Sequence, residues 1–397
     1  MMERFKTIAA SQRAILCEVL FCLALLAVFV PLKGYPLVFL LASLVFFFDT
    51  PRLLRHPWVW FLSVFTGYAS FVFLAGLPAD QREMTNFLKL PINFTYLYFA
   101  VGWSAQRDNT RLLRWVDITL HIALGLSLLQ LLVYHQAAGF RWLDGAPTSA
   151  QGSALYRPSL YFWGLDDKNM FGARIALLGF AYVLLPIVRR QAIVWWRVVA
   201  VLLLAWLSLS RTPLVALFLG LFALLWMAAN VRWRVVLAVA ALAALPFVAE
   251  KVVRIDTITA SNDGMGVRLV YWKAFFQHFF AISPLGNGFM AGKDFLGRYA
   301  AFYHGEPHIH NTFLSCYLDF GIIGFVAYVL FLVYFFRFCG QQQPNRAFWA
   351  VAWLPLLAIM MILYSGYDND IILYLGVILM LGSARSIDLK VLKWRVA

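Results

Sequence analysis

The segment His304-Gly305-Glu306-Pro307-His308-Ile309-His310-Asn311 gathers three histidines and a carboxylate immediately before a long apolar run. If extended, it turns His304, Glu306, His308 and His310 onto one face, a spacing that can ligate zinc. A second reading makes one histidine a catalytic base with the others as hydrogen-bonding neighbours, since imidazole titrates at about 6.5 and exchanges protons at neutral pH. A purely structural role is the third. Pro307 opposes a continuous helix through the cluster. His310 is the candidate catalytic residue, with His308 and Asn311 as secondary candidates.

The wider spacing is more specific. His310-Asn311 is followed by nine residues and then Gly321-Ile322-Ile323-Gly324. A helix starting near His310 would carry Gly321 on the same face roughly 16 Å deeper, with Gly324 one turn further. Two glycines on one face admit a neighbouring helix closely and would fix the histidine at the outer end.

Three arginines and a lysine could meet an anion. Arg211 sits in Leu209-Ser210-Arg211-Thr212-Pro213, between two apolar runs with almost no loop; an interfacial snorkelling role competes with a binding one. Arg268 opens an amphipathic segment to Phe280, in which Leu269, Trp272, Phe276 and Phe279 recur at helical spacing, as in a helix lying along a membrane surface. Arg174 falls about one turn inside an apolar run, where a guanidinium requires a polar cavity or a partner such as Asp166 or Asp167. Lys168 lies at the same end. Asp319, inside a later apolar run, is read as satisfying a neighbouring helix.

The elements that must position these residues are membrane spans. Of 397 residues 62% are hydrophobic and only 13% charged, against roughly 25% charged in an ordinary globular domain. Twelve candidate spans run near 14–32, 35–48, 57–77, 87–104, 115–135, 169–188, 193–210, 213–230, 235–250, 312–336, 347–364 and 371–384. They predict an all-α integral membrane protein built as a single polytopic domain over 1–397. Basic clusters such as Arg52/Arg55, Arg107/Arg111/Arg114, Arg189/Arg190, Arg232/Arg234 and Arg385/Lys390/Lys393/Arg395 alternate onto the N-terminal side. The opposite short connections hold only Lys33, Arg82, Lys89, Arg141, Arg157, Lys168 and Arg211. Positive-inside bias then places both termini in the cytoplasm. Two long outer connections, 136–168 and 251–311, break the pattern of short loops, and function is expected there. The formal net charge of +14 is spread over short loops, which points to a bilayer and not to nucleic acid. Cys17 and Cys22 fall in the first span, Cys316 in a later one and Cys339 in a short polar connection, so no disulfide framework is implied.

The His-Asn, nine residues, Gly-x-x-Gly spacing resembles the signature of the O-antigen ligases, within the superfamily of O-antigen polymerases and bacterial O-linked oligosaccharyltransferases. The Ser210-Arg211-Thr212 turn resembles the family's arginine-bearing turn. An arginine followed by Ser283-Pro284-Leu285-Gly286-Asn287-Gly288 matches its Pro-Leu-Gly-x-Gly run. The resemblance covers most of the chain in layout and short motifs in identity.

It implies a GT-C-like bundle in the inner membrane of a Gram-negative bacterium, with its site facing the periplasm. Polysaccharide would pass from undecaprenyl diphosphate to a sugar hydroxyl of lipid A-core. Arg211 and Arg268 would hold the donor's diphosphate and His310 would act as base, by an inverting reaction with no metal and no cofactor. The nearest rival is an O-antigen polymerase with a second lipid-linked glycan as acceptor. A protein oligosaccharyltransferase fits less well, because the chain's last residues read as a short cytoplasmic tail. A transporter or flippase would fit the spans but leave the histidine cluster unexplained.

Overall fold

The computed structural model describes residues 2–30, 34–50, 55–77, 79–137, 168–248, 265–342, 346–363, 366–384, 387, 389 and 393–395. Arg141, Arg157, Asp166 and Asp167, most of the 136–168 connection, and 249–264 of the later loop lie outside the described residues.

The architecture is all-helical apart from one short strand pair. The helices are α1 (Met2–Ala27), α2 (Tyr35–Asp49), α3 (Pro57–Ala75), α4 (Gln81–Ser104), α5 (Thr110–Ala137), α6 (Lys168–Arg190), α7 (Trp195–Leu207), α8 (Arg211–Ala228), α9 (Val231–Val248), α10 (Met265–Gln277), α11 (Gly292–Tyr299), α12 (Thr312–Gln342), α13 (Arg346–Ile362) and α14 (Asn369–Ala384). Each of the twelve expected spans falls on one of them. Five, α3, α5, α6, α8 and α12, are long and apolar enough to cross a membrane by length and composition. α2, α7, α13 and α14 are shorter apolar helices. The side chains that face outward are themselves large and apolar, among them Leu37, Trp60, Phe71, Val199 and Phe218, as a lipid-facing surface requires.

α6 is the central helix, buried along its whole apolar length. Gly172 lets it approach the start of α8: a Cβ there would stand 2.7 Å from Pro213 Cγ and 3.0 Å from Ser208 Oγ. Around it, α3 lies along α12, α8 along α13, and α14 along α4 and α6.

Side-chain contacts define the two ends of the bundle. At one end, Arg174 on α6 pairs with Asp370 at the start of α14 at 2.6 Å and also donates to the Val28 carbonyl just beyond α1. Ser210 Oγ donates to Asn169 Oδ1 at 2.7 Å, placing the starts of α8 and α6 together. At the other end, Arg111 Nε donates to both Glu18 oxygens at 3.0 and 2.8 Å, and Arg107 pairs with Asp49 at 3.0 Å. There too Asp117 accepts from Arg189 at 2.5 Å and Arg197 at 2.7 Å. The strand β1 (Ala192–Val194), after α6, pairs in parallel with β2 (Lys393–Arg395) near the C-terminus. The basic clusters therefore meet at one end, while the histidine segment lies at the other.

α12 begins at Thr312, where the expected span begins, but two expectations about it are corrected. The helix is broken at Gly321, whose φ of 61° and ψ of −162° are non-helical. The partner seated at Gly321 is a loop and not a helix. A Cβ there would lie 2.2 Å from the Pro284 carbonyl oxygen and 2.4 Å from Gly286 N. Ile322 N donates to the Pro284 carbonyl at 2.8 Å, Asn287 N to Leu318 O at 2.9 Å and Gly288 N to Asp319 O at 3.1 Å. The two glycine motifs, read separately in the sequence, are halves of one lock. Cys339, expected in a polar connection, is buried inside α12, because the helix continues to Gln342.

Candidate functional site

The connection before α12 carries its own apolar core. Val267, Tyr271 and Phe275 from α10, Phe295 and Leu296 from α11, and Ile282, Ile309 and Leu318 are buried together. The face that α10 and the following 3-10 turn leave outside is apolar as well: Leu269, Phe276, Phe279, Leu285 and, at 98% exposure, Phe280. Of the expected amphipathic set, Leu269, Phe276 and Phe279 lie on that exposed face, while Trp272 is only partly buried.

Arg268, in the first turn of α10, donates from Nε to the Ile362 carbonyl at 3.0 Å. Asn311 Nδ2 donates to the neighbouring Met361 carbonyl at 3.1 Å, and Thr312 Oγ1 to that of Leu363 at 3.1 Å. Three consecutive carbonyls at the end of α13, which its own helix cannot satisfy, thus hold Arg268 and the start of α12 side by side. Asn311 also caps α12, its Oδ1 accepting from Phe313 N at 2.9 Å and Leu314 N at 3.1 Å. Its side chain is spent on positioning the histidine before it.

His310 adopts a left-handed backbone with φ 55°, a conformation that is uncommon outside glycine and concentrates where function fixes geometry. The segment therefore bends at Gly305 and His310 and does not run extended through the cluster. Glu306 Oε1 comes within 3.8 Å of His310 Nε2, while Tyr271 OH donates to Glu306 Oε2 at 2.6 Å. The Tyr271 and His310 rings lie parallel, 6.0 Å apart, and His308 stands edge-on to His310 at 5.0 Å. Among the described residues, no three of His, Cys, Asp and Glu come together as a metal-ligand set.

Electrostatics follow from this packing. Burial favours the neutral form of Glu306, but its interactions with His310 and Tyr271 outweigh that and hold its carboxyl down to about 2. Burial, and then the neighbouring His310, push His308 well below its ordinary value, so it is neutral at physiological pH. Asp368, between α13 and α14, is pushed up to about 7 by burial and by Asp370, against the opposing Lys89 and Arg174.

Arg211 is the first residue of α8, reached through a three-residue turn in which Leu209 is left-handed with φ 54°. Ser210 makes no side-chain cap there, its hydroxyl being given to Asn169, so the helix start keeps its positive end beside the guanidinium. Gly220 on α8 is level with Pro355 on α13. Arg211 and Ile362 are then roughly 13 Å and 10 Å from that level toward the same end, which brings Arg211 to the depth of Arg268.

The secondary candidates divide. Arg174 pairs with Asp370, both side chains being almost wholly buried; the expected partners Asp166 and Asp167 lie outside the described residues. It is a tie between α6, α14 and α1. Lys168 opens α6, but its side chain is outside the described residues. Asp319 accepts from Ala291 N, the residue that caps the start of α11, at 3.2 Å, so it braces the outer loop through that helix. Tyr271 and Asp370 were not singled out by the sequence; Tyr271 stands one turn after Arg268 on a helix, a signal that could have drawn attention to it. A cavity of about 390 Å³ lies at the opposite end among Glu18, Trp103, Arg107 and Arg111, where ion pairs join helices.

Residues 196–329 match the family model described as O-Antigen ligase. The matched stretch runs from α7 into α12 and contains Arg211, Arg268, His308, His310 and Asn311, but neither Lys168 nor Arg174. No curated protein matches the chain.

Proposed function

With an O-antigen ligase segment at 196–329 as the premise, we propose that this membrane protein is a ligase moving polysaccharide from undecaprenyl diphosphate to lipid A-core. The reaction takes place on the periplasmic side of the inner membrane of a Gram-negative bacterium, in a GT-C-like bundle with both termini cytoplasmic. The observation that carries the proposal is the convergence of Arg268 and the His310-Asn311 segment on the carbonyls of residues 361–363, at the end of the bundle headed by Arg211.

That arrangement suits displacement of a diphosphate from an anomeric carbon. Negative charge builds on the leaving group, and guanidinium groups stabilise it without themselves losing a proton. Each such preorganised donor is worth about 100- to 1,000-fold in rate. His310 takes the proton of the attacking hydroxyl, a contribution of about 100- to 10,000-fold. Direct attack from the face opposite the diphosphate inverts the anomeric configuration. The fixed arginines take the place of a metal, and no cofactor takes part.

The test offers purified protein in liposomes one labelled undecaprenyl-diphosphate-linked glycan and, in separate reactions, lipid A-core or a second lipid-linked glycan. Core-attached product with inverted linkage supports the ligase. Lengthening of the lipid-linked glycan instead makes the chain a polymerase, and no transfer to either acceptor ends the transferase reading.

A further inference from the structure

Glu306 faces His310 from the turn before it, and the surroundings leave each nitrogen of the imidazole a different task. On one side Nε2 looks at a carboxylate oxygen 3.8 Å away. On the other, Nδ1 is buried and has no hydrogen-bond partner among the described residues. Were the proton on Nδ1, it would be an orphaned buried donor, and the Nε2 lone pair would point at an anionic oxygen. With the proton on Nε2 the carboxylate attracts it, and Nδ1 becomes a buried acceptor in need of a donor. Buried polar atoms nearly always have a partner, and a ligand's hydroxyl is of the chemistry that supplies this one.

We propose that Glu306 is a positioning residue that fixes His310 as the Nε2–H tautomer, making Nδ1 the atom that receives the acceptor hydroxyl's proton. The part concerning the acceptor rests on the transferase reading; the tautomer does not. In the step, the hydroxyl O–H bond breaks and its proton goes to Nδ1, while the oxygen bonds to the anomeric carbon. The bond from that carbon to the diphosphate oxygen breaks, and the lipid diphosphate leaves with the electron pair. The imidazolium so formed holds its Nε2–H against the Glu306 carboxylate, a contact that tightens as the ring becomes charged.

The second layer keeps Glu306 in place. Tyr271 OH donates to its other oxygen at 2.6 Å, and Tyr303 OH to its backbone carbonyl at 2.8 Å. Tyr271 OH in turn accepts from His304 N at 3.2 Å. The charged and titratable groups around His310 are Glu306 and His308 from its own segment, Tyr271 and Arg268 from α10, and Arg82 from α4, which acts on His308. Glu306 is the anion closest to the imidazole among them.

Glu306→Gln, Glu306→Asp and Tyr271→Phe test the assignment with two readouts. The first is the 15N chemical shift of each ring nitrogen of His310, which shows which of them carries the proton, measured without turnover. The second is glycan transfer. Wild type shows a protonated Nε2 and an unprotonated Nδ1. In Glu306→Gln that preference weakens and kcat falls about 10- to 100-fold, with KM for the lipid-linked glycan within about twofold. Glu306→Asp restores part of both, and Tyr271→Phe, which leaves the carboxylate in place, moves both less. A protonated Nδ1 in wild type, or an unchanged preference in folded Glu306→Gln, overturns the tautomer assignment. A weakened preference with unchanged kcat overturns the role of Nδ1. If wild type transfers nothing, the transferase reading fails while the nitrogen shifts still decide the tautomer.

Discussion

Arg174 and Arg268 are both guanidinium groups at the same end of the bundle, yet their surroundings assign them different work. Arg174 is closed in with Asp370 and the Val28 carbonyl. Removing one partner of such a buried pair strands the other charge and costs about 3–5 kcal/mol. Arg174→Ala is therefore expected to lower the thermal unfolding midpoint strongly, whereas Arg174→Lys loses less because it keeps the charge but not the fork geometry. Arg268→Lys and Arg211→Lys should leave the midpoint nearly unchanged and reduce transfer by at least about tenfold, since an ammonium cannot grip a diphosphate bidentately. Unfolding scans alongside transfer rates separate the two groups. The residue types were legible in the sequence: an arginine inside an apolar run demands an explanation. The partner was not, because Asp370 stands 196 positions from Arg174 and no local spacing connects them. The contact of Tyr271 with Glu306 was hidden in the same way, made by the packing of α10 against the outer loop.

At the scale of elements, hydropathy located every helix expected as a span, because apolar length is what a bilayer selects. It could not show where a helix breaks. Gly321 occupies a backbone region that is essentially restricted to glycine, and it lies directly against Pro284 and Gly286. Gly321→Ala must displace that backbone. The expected result is a loop unseated from α12, faster proteolysis between residues 265 and 300, and loss of transfer. Gly324→Ala should disturb the same break, since a Cβ there would meet Phe320 Cβ, which turning the ring does not move. The outer loop also has a predictable response to acid. His308 is kept neutral when folded but takes up a proton when unfolded, so its contribution to loop stability is complete above its ordinary value of 6.5 and declines as pH falls below it. Glu306 behaves as a depressed carboxylate: its contribution persists above 4.5 and is lost as pH falls toward about 2. Between pH 6.5 and 4.5, the protection of amide hydrogens in 300–311, relative to the intrinsic exchange rate at each pH, should fall in wild type and much less in His308→Gln. An equal loss of protection in the two would show that His308 is not the sensor.

For the molecule as a whole, the alternation of basic connections anticipated what the contacts display: Glu18, Arg107, Arg111, Arg189 and Arg197 meet at one end, and Arg268, His310 and Asp370 lie at the other. The pairing of β1 with β2 ties the chain's last residues to the connection after α6, a link that no hydropathy pattern carries. Reporter fusions should accordingly put residue 190 and the C-terminus on the cytoplasmic side and the loop before α10 on the periplasmic side; a C-terminal reporter active only outside would invert the topology. The central claim is that His310, held between Glu306 and Tyr271, performs proton transfer in a glycan transfer that needs no metal. Its most direct test is the single-turnover transfer rate of His310→Ala against wild type in liposomes containing lipid-linked glycan and lipid A-core, with a chelator present. The account predicts that chelated wild type transfers at full rate and that the variant, folded to the same thermal midpoint, is slower by about 100- to 10,000-fold. A variant as fast as wild type, or a wild type silenced by the chelator, would contradict it.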